Sequence, residues 1–196
     1  ALKIIKNIRQ VSDDIPILVN INDLKSKHWI RFALKNDLDF VSVYAKSAED
    51  IQQINRLLGY SNIKQVIGDK IKVIAIIGKK SLKNYKEIIQ ESYGIIIDRG
   101  DLANTNIEML PKLQKDIIDE CNKYGKPVVI AGSILNSMIE NKQPIQSEIY
   151  DISNAVLEGA SCLMLSEDTS NGKYPLEALE TMSRIIKIAE FGRIEG

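Results

Sequence analysis

The sequence predicts an α/β fold of parallel βα units, and two observations carry that prediction. Short runs rich in Ile and Val recur along the 196 residues, at 40–44, 72–77, 94–97, 127–131 and 162–165. Longer segments with apolar residues at i, i+3, i+4 and i+7 lie between them. Apolar runs of strand length suit a sheet covered on both faces, as a parallel sheet is when its crossovers are helices.

In chain order, a further short strand is expected at 17–19 and a helix at 22–35. The helical period then returns at 48–58, 84–91, 107–124, 148–158 and 176–191, each after one of the five apolar runs. Gly125 and Gly159 stand where two of these helices end, and Pro175 where the last begins. With no linker or low-complexity tract, residues 1–196 read as one domain. A closed βα barrel holds eight units in about 250 residues. About five units here therefore predict an incomplete barrel or an open α/β sheet, and periodicity leaves both open.

Composition narrows the partners. Hydrophobic residues make up 44% of the chain and charged ones 27%, enough for a substantial core. Lys+Arg and Asp+Glu are 26 each, so no net charge draws the chain to nucleic acid or an anionic membrane, and a small molecule or protein is the expected partner. Cys121 and Cys162 have neither metal-ligand spacing nor a disulfide framework, which predicts a reducing, cytoplasmic setting. No apolar run approaches the roughly 20 residues that span a bilayer. Residues 1–9 lack a leader's apolar region and cleavage signature. A start at Ala1 and a stop at Gly196, just past a helical pattern, read as a piece of a longer protein.

In either architecture a ligand lies beyond the carboxyl ends of the strands. The residues there are Ala45 and Lys46; Gly78, Lys79 and Lys80; Asp98, Arg99, Gly100 and Asp101; Gly132 and Ser133; and Ser166, Glu167, Asp168 and Thr169. Asp98, Asp101, Glu167 and Asp168 suit Mg²⁺ and a phosphorylated substrate if they converge, whereas their spacing alone favours solvated loop carboxylates. Gly78-Lys79-Lys80-Ser81 lacks the glycine five residues upstream that a phosphate loop needs, and reads as a basic turn. Arg99-Gly100-Asp101 directly follows an apolar run and reads as a strand-end loop, not an adhesion motif. The lone His28, beside Trp29, is expected to pack or face solvent, and one histidine builds no catalytic triad. Met138, Met164 and Met182 read as core filler.

Several motifs in order carry a resemblance: Gly94-Ile-Ile-Ile-Asp-Arg-Gly-Asp-Leu102, Gly125-Lys-Pro-Val-Val129, Leu135 with Ser137-Met138-Ile139, Asp151-Ile-Ser-Asn-Ala-Val-Leu-Glu-Gly-Ala160, and Met164-Leu-Ser166 through Gly172 and Tyr174-Pro-Leu-Glu-Ala178. Together they resemble the second half of the catalytic barrel of the pyruvate kinase family. Upstream, Asp23-Leu24, Phe40-Val41 and Ser47-Ala-Glu-Asp50 are similar to the preceding units. The resemblance covers most of 20–190, with 1–20 a poorly matched lead-in. It implies the later part of a TIM-type (β/α)8 barrel. It also implies phosphoryl transfer from phosphoenolpyruvate to ADP, giving pyruvate and ATP, with Mg²⁺ and K⁺, in a cytoplasmic oligomer.

Carried over residue by residue, the resemblance also implies a damaged site. Ile76 stands at the position of the family's Lys, which offsets charge on the transferring phosphoryl group; Gly78 stands at a metal-binding Glu; Gly132 stands at a Thr that contacts substrate. Asp101 keeps the other metal carboxylate, and the Gly100 N–H remains for a substrate carboxylate. The implied substrate-binding positions are thus Gly100, Asp101 and Gly132, the metal position is Asp101, and no catalytic residue is intact. Removing one preorganised donor costs other enzymes on the order of 10² to 10³ in rate, so impaired catalysis is expected. Glu167-Asp168-Thr169 replaces the usual Gly-Glu-Thr, and Ile145-Gln146 replaces a Thr-Arg in a region of subunit contacts. The nucleotide and K⁺ sites draw on earlier barrel strands. A homo-oligomer, or assembly with the missing barrel half, is expected to cover the exposed strand edges. Two other readings stay open: a non-catalytic scaffold or regulatory subunit, and another Mg²⁺-dependent enzyme of the phosphoenolpyruvate-binding barrel type.

Overall fold

Six strands pair in sequence order, all parallel: β1 (Leu18–Ile21), β2 (Phe40–Tyr44), β3 (Lys72–Ile77), β4 (Gly94–Asp98), β5 (Val128–Ala131) and β6 (Cys162–Met164). The computed structural model describes residues 2–12, 14–21, 27–36, 38–59 and 71–192. Helix α1 (Leu2–Val11) precedes the sheet. The crossovers carry α2 (Lys27–Lys35), α3 (Ala48–Leu57), α4 (Tyr85–Glu91), α5 (Arg99–Ala103), α6 (Leu110–Lys123) and α7 (Gln146–Leu157), and α8 (Glu167–Ser170) and α9 (Pro175–Phe191) follow β6. The sheet curls, making a half-barrel with helices on its outer face.

Strand side chains alternate between two faces, and here both faces are apolar. Val41, Val43, Val73, Ala75, Ile77, Ile95, Ile97, Val128, Ile130 and Leu163 point outward, into one core with Ile51, Ile54, Ile88, Ile89, Ile117, Ile118, Ile152 and Met182 of the helices. Ile74, Ile76, Ile96 and Ala131 form a second, smaller cluster on the concave face, flanked by Phe40 and Val129. Each fully buried Ile contributes about 1.5–3 kcal/mol, so the outward core holds the sheet while the concave cluster fills its hollow.

The predicted strands and most of the predicted helices are present, with informative shifts. The further short strand, β1, runs 18–21 rather than 17–19, and the helix expected at 22–35 is described from Lys27, residues 22–26 lying outside the described set. The segment expected as one helix at 107–124 begins as a 3₁₀ turn, Ile107–Met109, before α6, whose first turn carries Pro111. Helix α7 starts two residues early, because the Glu148 carboxylate accepts the Ile145 N–H (3.1 Å) as an N-terminal cap. Gly125 and Gly159 lie just past helix ends at φ +62° and +98°.

One element is additional and one expectation is corrected. Residues 2–11 form a helix that the sequence reading did not assign; it docks through buried Ile5 and through Arg9, which donates to Asp39 (3.0 Å) and to the Ile15 carbonyl (2.8 Å). Met138 and Met182 are buried as expected, but Met164 is 38% exposed. It points from β6, the last strand of the sheet, toward the concave side, where no described strand follows to cover it. Leu18 on β1 is exposed in the same way at the other edge. Cys121 is fully buried, which pushes its thiol up to about 12, while Cys162 is exposed. Among the described residues no helix is long and apolar enough to cross a membrane.

Ile97, fully buried at the centre of the outward core, is the test of this packing. Ile97→Ala is expected to destabilise by about 2–5 kcal/mol. Ile4→Ala, at a residue 63% exposed on α1, is expected to change stability by no more than about 0.5 kcal/mol. Urea denaturation of both variants measures the difference.

Candidate functional site

Parallel pairing brings the carboxyl ends of all six strands to one rim. After β3 the chain passes through Gly78 into a 3₁₀ turn, Lys79–Ser81. Ser81 is buried; its hydroxyl donates to the Ala45 carbonyl (2.5 Å) and accepts from the Gly78 N–H (3.4 Å). Asn84 Nδ2 adds a bond to the Lys46 carbonyl (2.9 Å). The segment is therefore a basic turn fastened to the end of β2, with the Lys79 and Lys80 side chains in solvent, as the missing upstream glycine predicts.

Asp98 ends β4 and caps α5, Oδ1 accepting the Asp101 N–H at 3.1 Å. Its other oxygen accepts the Tyr44 hydroxyl at 2.5 Å. That bond, then partial burial and the charges of Asp98 and Asp101, push the Tyr44 phenol up to about 12. Asp101 turns to the neighbouring strand end, where Oδ2 accepts the Lys79 N–H at 2.8 Å. A Cβ placed on Gly78 would lie 2.2 Å from that same oxygen.

Arg99 reaches the other way. Nη1 donates to both Asp151 oxygens at 2.7 Å, and Nη2 and Nε donate to the Gly132 carbonyl at 2.7 and 3.2 Å. The Arg99 side chain is only 11% exposed, so it binds β4, the loop after β5 and α7 into one piece. Gly132 adopts φ +100°, and a Cβ there would meet the Gly100 nitrogen at 3.2 Å. Ser133 follows at φ +48°. A β-branched residue is strained in that left-handed region.

Two further carboxylates are enclosed. Asp168, 2% exposed, accepts from the backbone N–H groups of Ser166 (2.5 Å), Thr169 (3.1 Å) and Leu135 (3.4 Å). Glu148 accepts the Ser137 N–H (2.7 Å) and hydroxyl (2.5 Å). Asp98, Gly100 and Asp101 therefore share one turn, Gly78 and Gly132 flank it, and Ile76 lies below in the concave apolar cluster. Glu167 and Asp168 sit apart on α8, Glu167 exposed. Among the described residues no three His, Cys, Asp or Glu side chains form a group that could hold a metal ion. Tyr44 joins the site from the end of β2, where the apolar run predicts only a strand residue. Parity with Phe40 and Ser42 was the available signal, since all three point to the concave side. Asp168, expected as a solvated loop carboxylate, is enclosed instead. His28 is exposed, with its ring edge-on to Trp29 at 6.0 Å, as expected.

The sequence that builds this fold and rim matches a known family. The model of the pyruvate kinase barrel domain covers residues 5–179. The chain belongs to the pyruvate kinase family. The pyruvate kinase of Methanocaldococcus jannaschii is 36% identical over 186 residues, 94% of this chain and 40% of that protein. Those of Dictyostelium discoideum and Clostridium acetobutylicum are 37% and 35% identical, covering 82% and 94% of this chain. The chain spans only 31% and 38% of those two proteins. In this pyruvate kinase barrel segment, positions 76, 78 and 132 hold Ile, Gly and Gly, so the rim is lined by backbone and by side chains already engaged with one another.

The Tyr44–Asp98 bond is open to titration. Because the folded phenol lies above its ordinary value of about 10, the bond stabilises the fold fully below about pH 10 and its contribution disappears as pH rises through about 12. Asp98→Ala is expected to bring the Tyr44 midpoint down toward 10, followed by ultraviolet absorbance with Tyr44→Phe as the assignment control.

Proposed function

We propose that this pyruvate kinase half-barrel is a non-catalytic form of the family's site: it keeps the fold and does not support phosphoryl transfer from phosphoenolpyruvate to ADP. One observation carries the reading. Ile76, at the position where the resemblance places the essential Lys, is 5% exposed and packed with Ile74, Ile96 and Ala131 on the concave face. Phosphoryl transfer depends on fixed positive charge beside the transferring group, and an aliphatic side chain supplies none. Lys79 and Lys80 sit past the strand end with their side chains in solvent, where nothing described here orients them inward.

The metal position points the same way. Mg²⁺ takes oxygen ligands in a near-octahedral shell, with one or two carboxylates among them. Gly78 brings no carboxylate, and Asp101 Oδ2 already accepts a backbone N–H. The residues present do not fit a Mg²⁺ site of the family's two-carboxylate kind. Gly132 has no hydroxyl for substrate, and its carbonyl is engaged by Arg99. Gly100 keeps its backbone N–H beside Gly132, a substrate contact the resemblance leaves available.

A scaffold or regulatory role in a cytoplasmic assembly fits these features. Both edge strands expose concave-face residues, Leu18 on β1 and Met164 on β6, and open sheet edges call for cover. The rest of a barrel, or a second subunit, supplies it in this reading.

A coupled assay of pyruvate formation on the full-length protein, with phosphoenolpyruvate, ADP, Mg²⁺ and K⁺, is the test. No turnover above the blank is expected, with or without Asp101→Ala. Sustained turnover that Asp101→Ala abolishes would overturn the reading and return Asp101 to the catalytic machinery.

A further inference from the structure

Parallel register pairs Tyr44 of β2 with Ile76 of β3, and Ile76 in turn with Ile96 of β4. Paired residues share a face of the sheet, so all three point into the hollow, with Asp98 two residues on along β4. The Tyr44 hydroxyl donates to Asp98 Oδ2 at 2.5 Å. Neighbouring strands stand about 4.8 Å apart. A bond between side chains of β2 and β4 therefore has to cross β3, and this one crosses at its carboxyl end, where Ile76 lies. Ile76 is 5% exposed and Tyr44 43% exposed, which makes the phenol the outer layer and Ile76 the inner one. Both ends of the bridge are anchored. Asp98 Oδ1 accepts the Asp101 N–H at 3.1 Å, and the carbonyl of Ala45, next after Tyr44, accepts the buried Ser81 hydroxyl at 2.5 Å. The bond to Asp98 is the largest cause of a phenol pushed up to about 12, so the hydroxyl stays a donor through the ordinary pH range.

We propose that Tyr44 and Asp98 form a clasp across the carboxyl end of β3 that closes the hollow above residue 76 to ligands. The position where the resemblance places the family's Lys is then covered as well as uncharged. Asp98 also sets a negative charge beside the opening, so an anionic ligand meets a closure and a like charge together. The proposal deepens the non-catalytic reading and rests on it for the importance of position 76, yet its test needs no turnover.

The test is thiol accessibility in the full-length protein, read by peptide mass after timed exposure to iodoacetamide. Exposed Cys162 is replaced by Ser, and fully buried Cys121 stays as the indicator of unfolding. With Ile76→Cys in that background, modification at position 76 is expected to be slow. Tyr44→Phe keeps the ring but loses the bond, and is expected to speed modification about ten-fold, as loss of a hydrogen bond to a charged group allows. Tyr44→Ala, which also removes the ring, is expected to speed it further. Equal rates with and without these substitutions would overturn the clasp. Where Cys121 reacts as well, the variant has unfolded, and the δ1 methyl of Ile76 in the protein without Ile76→Cys decides. Beneath an aromatic ring that methyl resonates upfield of its ordinary position, and its signal is assigned by its loss in Ile76→Val. A downfield move in Tyr44→Ala supports the clasp; an unmoved signal refutes it. Free access to position 76 without turnover would sink the clasp and leave the non-catalytic reading, which stands on residue types. Turnover with position 76 still shut to the reagent would sink that reading alone.

Discussion

Parallel pairing of Lys72–Ile77 with Gly94–Asp98 governs the geometry of everything at the rim. The register sets Ile76 beside Ile96 and Ile77 beside Ile97, and a slip of one residue would exchange the two faces of the strand. The outward core forbids that slip, because Val73, Ala75, Ile77, Ile95 and Ile97 are all buried there against the helices. Once the register holds, Ile74, Ile76 and Ile96 must face the hollow. Gly78 then leaves β3 within reach of Asp101 as the chain turns from β4 into α5.

From that constraint follows a rim that closes on itself. Ser81 joins the ends of β2 and β3, Tyr44 joins β2 to β4, and Asp101 joins the loops after β3 and β4. Arg99 continues the chain of contacts to Gly132 and Asp151, and Asp168 ties the loop after β6 to Leu135. Buried and half-buried polar groups require partners. Here the partners come from neighbouring strand ends. The acidic residues of the rim thus tie neighbouring strand ends together.

The helix side and the concave side differ in how far they are finished. Helices seal the outward core from β2 to β5, and the fully buried side chains concentrate there. On the concave side the apolar cluster is confined to strands β2 to β5, and it thins toward Leu18 on β1 and Met164 on β6. Lys72 shows how the lower part of the hollow is handled: its ammonium lies 4.6 Å from the centre of the Tyr93 ring and 5.8 Å from that of Phe40, a cation held by aromatic faces instead of a carboxylate.

Local sequence was enough to place the five main strands, most helices and the Gly125, Gly159 and Pro175 boundaries, because period and turn chemistry act over a few residues. Ordered motifs from Gly94 onward were enough to point to the family. Helix α1 was not legible in that way, since its docking depends on Ile5 and on an Arg9–Asp39 pair thirty residues apart. Neither was the exposure of Met164, which follows from its place on the last strand of the sheet. At the site, the residue types at 76, 78, 101 and 132 were determined by sequence alone. Only the tertiary structure decided that Tyr44 meets Asp98, that Asp168 is enclosed and that Asp101 fills the space beside Gly78. Those facts depend on which strand ends lie side by side, and pairing between distant segments is set by the packed core rather than by any local pattern.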